Sequence, residues 1–123
     1  MLTFQQFIET RISKPCGHLD YDIANRDDVE YINDAIASPL PEPIIEIQDL
    51  FVNKEYRGKG FYGIRLLQDF LKNHKDSTII CQAYPYEENQ KNFENRRMDI
   101  VKMYEKFGFI HVGQGWMYRL PIL

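Results

Sequence analysis

Apolar positions along this chain recur at two spacings, and the places where one gives way to the other mark its elements. Leu19, Tyr21 and Ile23 alternate with polar residues and predict a short strand. Ile45 and Ile47 alternate with Glu46 and Gln48 inside a longer one, Ile44 to Asn53. There the consecutive apolar residues Leu50, Phe51 and Val52 mix the parity, which predicts a bulge. Phe61, Ile64, Leu67, Phe70 and Leu71 then fall at helical spacing, and Thr78 to Tyr84 returns to a β-rich run. Strand, helix and strand in that order predict a right-handed crossover and parallel pairing, with ligands favoured at the carboxyl ends of the strands.

The flanking segments fill in the domain. Thr3-Phe4-Gln5-Gln6 reads as a capping box with Leu2 stapling against Phe7, so a short first helix is expected to about Arg11. Asp27 to Ala37 predicts a second helix with an acidic first turn, ended by Pro39, Pro41 and Pro43. Tyr84 to Asn95 is polar, broken by Pro85, and expected to be an exposed loop beside the same sheet edge. A helix from about Asn95 to Lys106 places Ile100, Tyr104 and Phe107 on one face, and Gly108 stands where a left-handed C-terminal residue is wanted. Two last strands, Phe109 to Val112 and Trp116 to Leu120, turn at Gly113-Gln114-Gly115. No repeat interrupts this order, and the whole of residues 1–123 reads as one α/β (α+β) domain.

Composition narrows the function classes. An apolar content of 44% with 14% aromatics predicts a packed core rather than disorder, and a net charge of −3 argues against nucleic acid as a partner. No apolar run approaches the roughly 18 to 20 residues that span a bilayer, and no basic region followed by an apolar one opens the chain, so a cytoplasmic location without membrane partners is expected. Cys16 and Cys81 are far apart, and reduced thiols are expected. Cys16-Gly17-His18 has no second close pair, so no metal is expected.

The chemistry concentrates in Leu50 to Gly63, LFVNKEYRGKGFYG, where an apolar strand runs into a basic, glycine-spaced turn that opens a helix. Gly58 and Gly60 have no Cβ to block close approach, so backbone N–H groups can converge on a phosphate at the helix N-terminus, with Arg57 and Lys59 at the rim. The ending GK[ST] that a nucleotide P-loop needs is missing.

This segment resembles the Q/R-x-x-G-x-G/A turn of the GNAT superfamily of N-acetyltransferases, which holds the pyrophosphate of acetyl-CoA. Arg57, Gly58, Lys59, Gly60 and Phe61 fit; Tyr62 stands where the family usually has Gly or Ala, with Gly63 one place late. Tyr104-Glu105-Lys106-Phe107-Gly108-Phe109 is similar to the family's Y-x-k-x-G-F signature. The two segments and the strands between them cover Ile44 to Leu120; the N-terminal part does not match specifically and reads as a trimmed lobe.

The resemblance implies a GNAT-like mixed sheet with splayed parallel strands flanked by helices, and acetyl-CoA as cofactor. Backbone around Leu50, Phe51 and Val52 would orient the pantetheine, and Arg57, Gly58, Lys59, Gly60, Phe61 and Tyr62 would hold the pyrophosphate. Tyr104 would protonate the departing thiolate, chemistry open to a phenol of pKa about 10. Arg97 replaces an Asn that contacts the pantetheine in the family. Glu46 lies eleven residues before Arg57, the spacing of the catalytic glutamate in histone acetyltransferases. A base is needed because an amine of pKa near 10.4 is only about one part in 2,500 neutral at pH 7.

Other assignments stay open at this level. Asp49 is a second carboxylate, on the opposite strand face unless the bulge flips the register. His18, His74 and His111 are alternative bases that read more readily as structural, as does Cys81 in its apolar strand. The function implied is direct acetyl transfer to an amine: a protein lysine or N-terminus, or a small polyamine-like amine. Asp27, Asp28, Glu30, Asp34, Glu87, Glu88 and Glu94 suit such a cation. The alternative is a regulatory module that binds acetyl-CoA without catalysis; self-association into a homodimer is left open.

Overall fold

The computed structural model describes residues 11–57, 62–85 and 92–122; the predicted first helix up to residue 10, and Gly58, Lys59, Gly60 and Phe61, lie outside them. The elements are β1 Arg11–Lys14, β2 Gly17–Ile23, α1 Arg26–Ile36, β3 Ile44–Val52, α2 Tyr62–Asn73, β4 Thr78–Gln82, α3 Phe93–Glu105, β5 Ile110–Gly113 and β6 Trp116–Arg119, with a short 3₁₀ turn at Lys54–Tyr56. Arg11, expected at the end of a helix, is instead a strand residue paired with Asp20. With Ile12 as its one apolar residue, β1 has no alternation to reveal it.

The strands form one mixed sheet in the order β1-β2-β3-β4-β6-β5. β3 and β4 pair parallel across the connection that contains α2, as the strand–helix–strand pattern predicts, and the other pairings are antiparallel. Local chemistry sets the ends of the elements. The Asn25 side chain caps α1 by accepting from the Asp27 N–H, and α1 stops at Ile36 because Ala37 turns left-handed (φ 56°), ahead of the prolines expected to end it. Gly108, at φ 90°, ends the turn after α3 as expected. The β5–β6 connection carries three successive positive φ values, at Gly113, Gln114 and Gly115.

Each sheet face has its own core. On one face Leu19, Ile47, Ile79, Cys81 and Met117 pack against Leu66, Leu67 and Phe70 of α2 and Val101 and Tyr104 of α3. On the other, Ile44 and Ile80 meet Val29 and Ile32 of α1, with Trp116 and Tyr118 alongside. Thus β3 is covered on both faces at its start, but its two faces are served by different helices.

Candidate active site

The sheet opens where β3 and β4 part. Their parallel pairing covers only Ile44 with Thr78, Ile45 with Ile79 and Glu46 with Ile80. Beyond that, β3 stays with β2 as far as Val52, and β4 stays with β6 as far as Gln82. Among the described residues the facing edges of the two strands therefore have no strand partner, and a cavity of about 420 Å³ lies between them. β3 contributes Ile47 to Leu50 and Val52, β4 contributes Cys81 and Gln82, and α3 closes it with Ile100, Met103 and Tyr104. Backbone amides along a strand edge can pair with an extended amide-bearing ligand. Leu50 and Val52 thus line the cavity, whereas Phe51 points to the opposite sheet face.

Tyr104, the proton donor that the family resemblance implies, reaches the cavity from α3. It is 4% exposed, lines the cavity, and rests edge-on against Phe109 at 5.1 Å between ring centroids. Burial, with lesser contributions from Cys81 and the Asp49 carboxylate, raises its pKa well above the usual phenol value, so the hydroxyl stays protonated. Cys81 also lines the cavity, but complete burial pushes its thiol far up and leaves it unreactive. Both cysteines are free thiols.

A bulge decides which way the carboxylates of β3 point. Asp20 pairs with Asp49 and Tyr21 with Ile47, so Gln48 is an extra residue in β3. The predicted bulge exists, two residues before the apolar run that suggested it. Up to Ile47 the odd-numbered residues of β3 face α2; after Gln48 the even-numbered Leu50 and Val52 do. Glu46 and Asp49 consequently share the opposite face, together with His18, Asp20 and Asp22 of β2.

The two carboxylates have different company. Glu46 is the last residue of β3 paired with β4, is 7% exposed, and accepts from the Asn25 N–H at 3.0 Å at the start of α1. Burial first, then hydrogen bonding with Asp28, raises its pKa to about 7. It does not line the cavity, so the structure joins this predicted base to α1 rather than to Tyr104. Asp49 does line the cavity, and its Oδ2 lies 3.0 Å from His18 Nε2. In the sequence His18 reads more readily as structural; only the β2–β3 register brings it to Asp49. Among the described residues, His18, Asp20 and Asp49 also bring ligand atoms within 4.8 Å of one another, a grouping that the Cys16-Gly17-His18 pattern did not foretell. Arg11 grips both oxygens of Asp20, at 2.5 and 2.8 Å, and holds its carboxyl below the usual range.

At the far end of the fork the predicted phosphate turn is described only at its flanks. The Arg57 side chain folds back so that Nε donates to the Val52 carbonyl at 2.7 Å, with the guanidinium 5.0 Å above the Phe51 ring. Tyr62 begins α2 and meets Tyr56 edge-on at 4.9 Å, and Gly63 lines the cavity beside Val52. The residue that departs from the glycine pattern is thus used in packing. Gly58, Lys59, Gly60 and Phe61 are outside the described residues.

Arg97 is not in the cavity wall. Its guanidinium lies 4.6 Å over Phe93 and bonds Glu94 at 3.2 Å, while its buried Nε has no partner among the described residues. His74 Nδ1 donates to the Phe70 carbonyl at 2.8 Å, and the Gly115 N–H donates to His111 Nε2 at 3.0 Å, so both histidines serve local structure. Comparison of the chain with protein-family models, with curated proteins and with solved structures finds no match in any of the three.

Proposed function

We propose that this chain is an acetyl-CoA-dependent N-acetyltransferase of the GNAT type, acting by direct transfer to an amine in the cytoplasm. The observation that carries the proposal is the fork. Two parallel strands separate over a cavity whose wall holds a buried, protonated Tyr104, and the longer strand leads on toward the glycine-spaced turn. The motif similarities at Arg57 to Phe61 and at Tyr104 to Phe109 are independent of that geometry and agree with it.

The chain's own groups fit acetyl-CoA. The cavity of about 420 Å³ admits a narrow chain, and the strand edges beside it offer amide partners. Leu50 and Val52 line the path, Phe51 supports it from the other face, and Arg57, Gly58, Lys59, Gly60, Phe61 and Tyr62 would form the pyrophosphate end. When bound, acetyl-CoA supplies an activated acetyl group as a thioester. Tyr104 Oη holds a proton for a leaving thiolate, and a carboxylate of β3, Glu46 or Asp49, takes one from the amine. Holding the reactants in register removes the entropy cost of a bimolecular encounter. The sheet face shared by Asp20, Asp22, Glu46 and Asp49 is acidic and suits a cationic acceptor, with a protein or peptide lysine ranked first.

Calorimetry with acetyl-CoA tests the reading at its base. Binding is expected, and Gly60→Asp, which puts a carboxylate into the phosphate turn, is expected to weaken it by about tenfold or more, roughly 1.4 kcal/mol. Binding that ignores Gly60→Asp removes the assignment of the turn. Tyr104→Phe is expected to lower turnover about a hundredfold while leaving acetyl-CoA affinity within a few fold. A fully active Tyr104→Phe variant excludes the phenol as the acid. Binding without transfer to any amine favours the regulatory module.

A further inference from the structure

Asp49 and His18 meet at the mouth of the fork, on strands separated in sequence by a helix and a loop. Their juxtaposition has three causes. The β2–β3 register puts His18 opposite Phe51 and Asp20 opposite Asp49, the bulge at Gln48 turns Asp49 to the face of His18, and His18 stacks on Phe51 at 5.3 Å and 22°. His18 Nε2 then stands 3.0 Å from Asp49 Oδ2 and 3.9 Å from Asp20 Oδ2. Because Arg11 occupies both oxygens of Asp20, the imidazole's close partner is Asp49.

Resting on the acetyltransferase reading, we infer that Asp49 is the base that takes protons from the acceptor amine, and that His18 is the positioning residue that holds its carboxylate at the cavity mouth. Three features single out Asp49. It lines the cavity, its side chain keeps 36% of its surface open to solvent, and its charge is felt at Tyr104 across the fork. A base must reach both the reacting nitrogen and the water that carries its proton away. Glu46 has neither property, being 7% exposed, tied to the start of α1, and outside the cavity wall.

The proton inventory closes. A protonated amine gives its first proton to Asp49, which passes it to solvent and frees the nitrogen lone pair. Nitrogen then bonds to the acetyl carbon as the carbon–sulfur bond breaks, and sulfur takes the Tyr104 proton. The second amine proton leaves through Asp49 and replaces the one lost from Tyr104. One amide and one thiol form, and one proton is released per transfer. Among the described residues, the titratable and charged groups around Asp49 are His18 and Asp20 of β2, Arg11 of β1 through Asp20, Tyr104 of α3, and Cys81 and Tyr84 in the same cavity wall.

The test uses the full chain, acetyl-CoA, and two probe amines: a lysine peptide blocked at its N-terminus, and spermidine. Asp49→Asn is expected to keep acetyl-CoA affinity by calorimetry and to lose about a hundredfold in kcat at pH 7.5. Its rate is expected to climb about tenfold per pH unit up to pH 9.5, as solvent takes over deprotonation of the amine, with a shallower climb for the wild type. His18→Leu is expected to lower kcat about tenfold with KM for acetyl-CoA unchanged, and His18→Gln, which keeps an N–H near the place of Nε2, to recover most of that loss. Asp49→Asn within threefold of wild type, or wild-type turnover abolished by a chelator, overturns the inference and leaves the acetyltransferase reading standing. Wild-type binding without transfer to either amine overturns the base assignment in favour of a binding module. No wild-type binding of acetyl-CoA overturns both.

Discussion

Glu46 is a carboxyl group held partly against its charge. Burial and Asp28 raise its pKa to about 7 while the Asn25 N–H pulls the other way. In the unfolded chain the group titrates near 4.5, so between that pH and about 7 the folded state binds more protons, and stability falls as pH rises through this window. Glu46→Gln keeps an acceptor for Asn25 and gains an N–H toward Asp28. It is therefore expected to raise stability at pH 8 by about 1–2 kcal/mol, allowing for solvent around the group, with the gain gone at pH 4.5. Thermal melts of the two proteins at the two pH values read this directly, and an equal gain at both would refute the raised pKa. The sequence could show that Glu46 is an acid in a strand. It could not show that α1 begins against that acid, because the contact joins Asn25 to Glu46 across 21 positions of chain.

At the scale of elements, the hairpin end of β2 controls the open end of the fork. Gly17 pairs with Val52, and a Cβ there would lie 2.0 Å from the Phe51 carbonyl oxygen. Backbone cannot yield as a side chain tip can, so Gly17→Ala is expected to push β2 from β3 and cost about 2–3 kcal/mol in chemical denaturation. His18 and Phe51 sit beside that contact, so the same variant is expected to lose the proposed transferase activity in its remaining folded fraction; unchanged stability would show that the hairpin accommodates the methyl. Most elements were legible from periodicity: β2, α1, β3, α2 and β4 fall within a few residues of their expected places. Strand β1 was not, since pairing rather than pattern makes it a strand. The bulge was foreseen in the right strand, but the register that locates it at Gln48 belongs to β2 and β3 jointly.

Over the whole molecule, one sheet separates two cores, and α2 anchors the larger. Phe70 is fully buried between Tyr21 and His74, with ring centroids at 4.9 and 4.5 Å. Phe70→Ala is expected to cost about 3–5 kcal/mol, a large share of the roughly 5–15 kcal/mol that holds a domain of this size, and to lower Tm by about 10–20 °C. A calorimetric melt checks it, and a drop of only a degree or two would place the core elsewhere. Among the described residues, no helix is long and apolar enough to cross a membrane.

By itself the sequence determined the α/β alternation and the stop at Gly108, and it singled out the glycine-spaced segment and Tyr104 as candidates, because each depends on residues near one another along the chain. Tertiary structure decided which groups share a site. The parting of β3 from β4, the turning of Asp49 by one extra residue, the capture of Glu46 by α1 and the arrival of His18 beside Asp49 all depend on strand register. Register arises from pairing between distant segments, and a shift of one position moves every side chain to the other face.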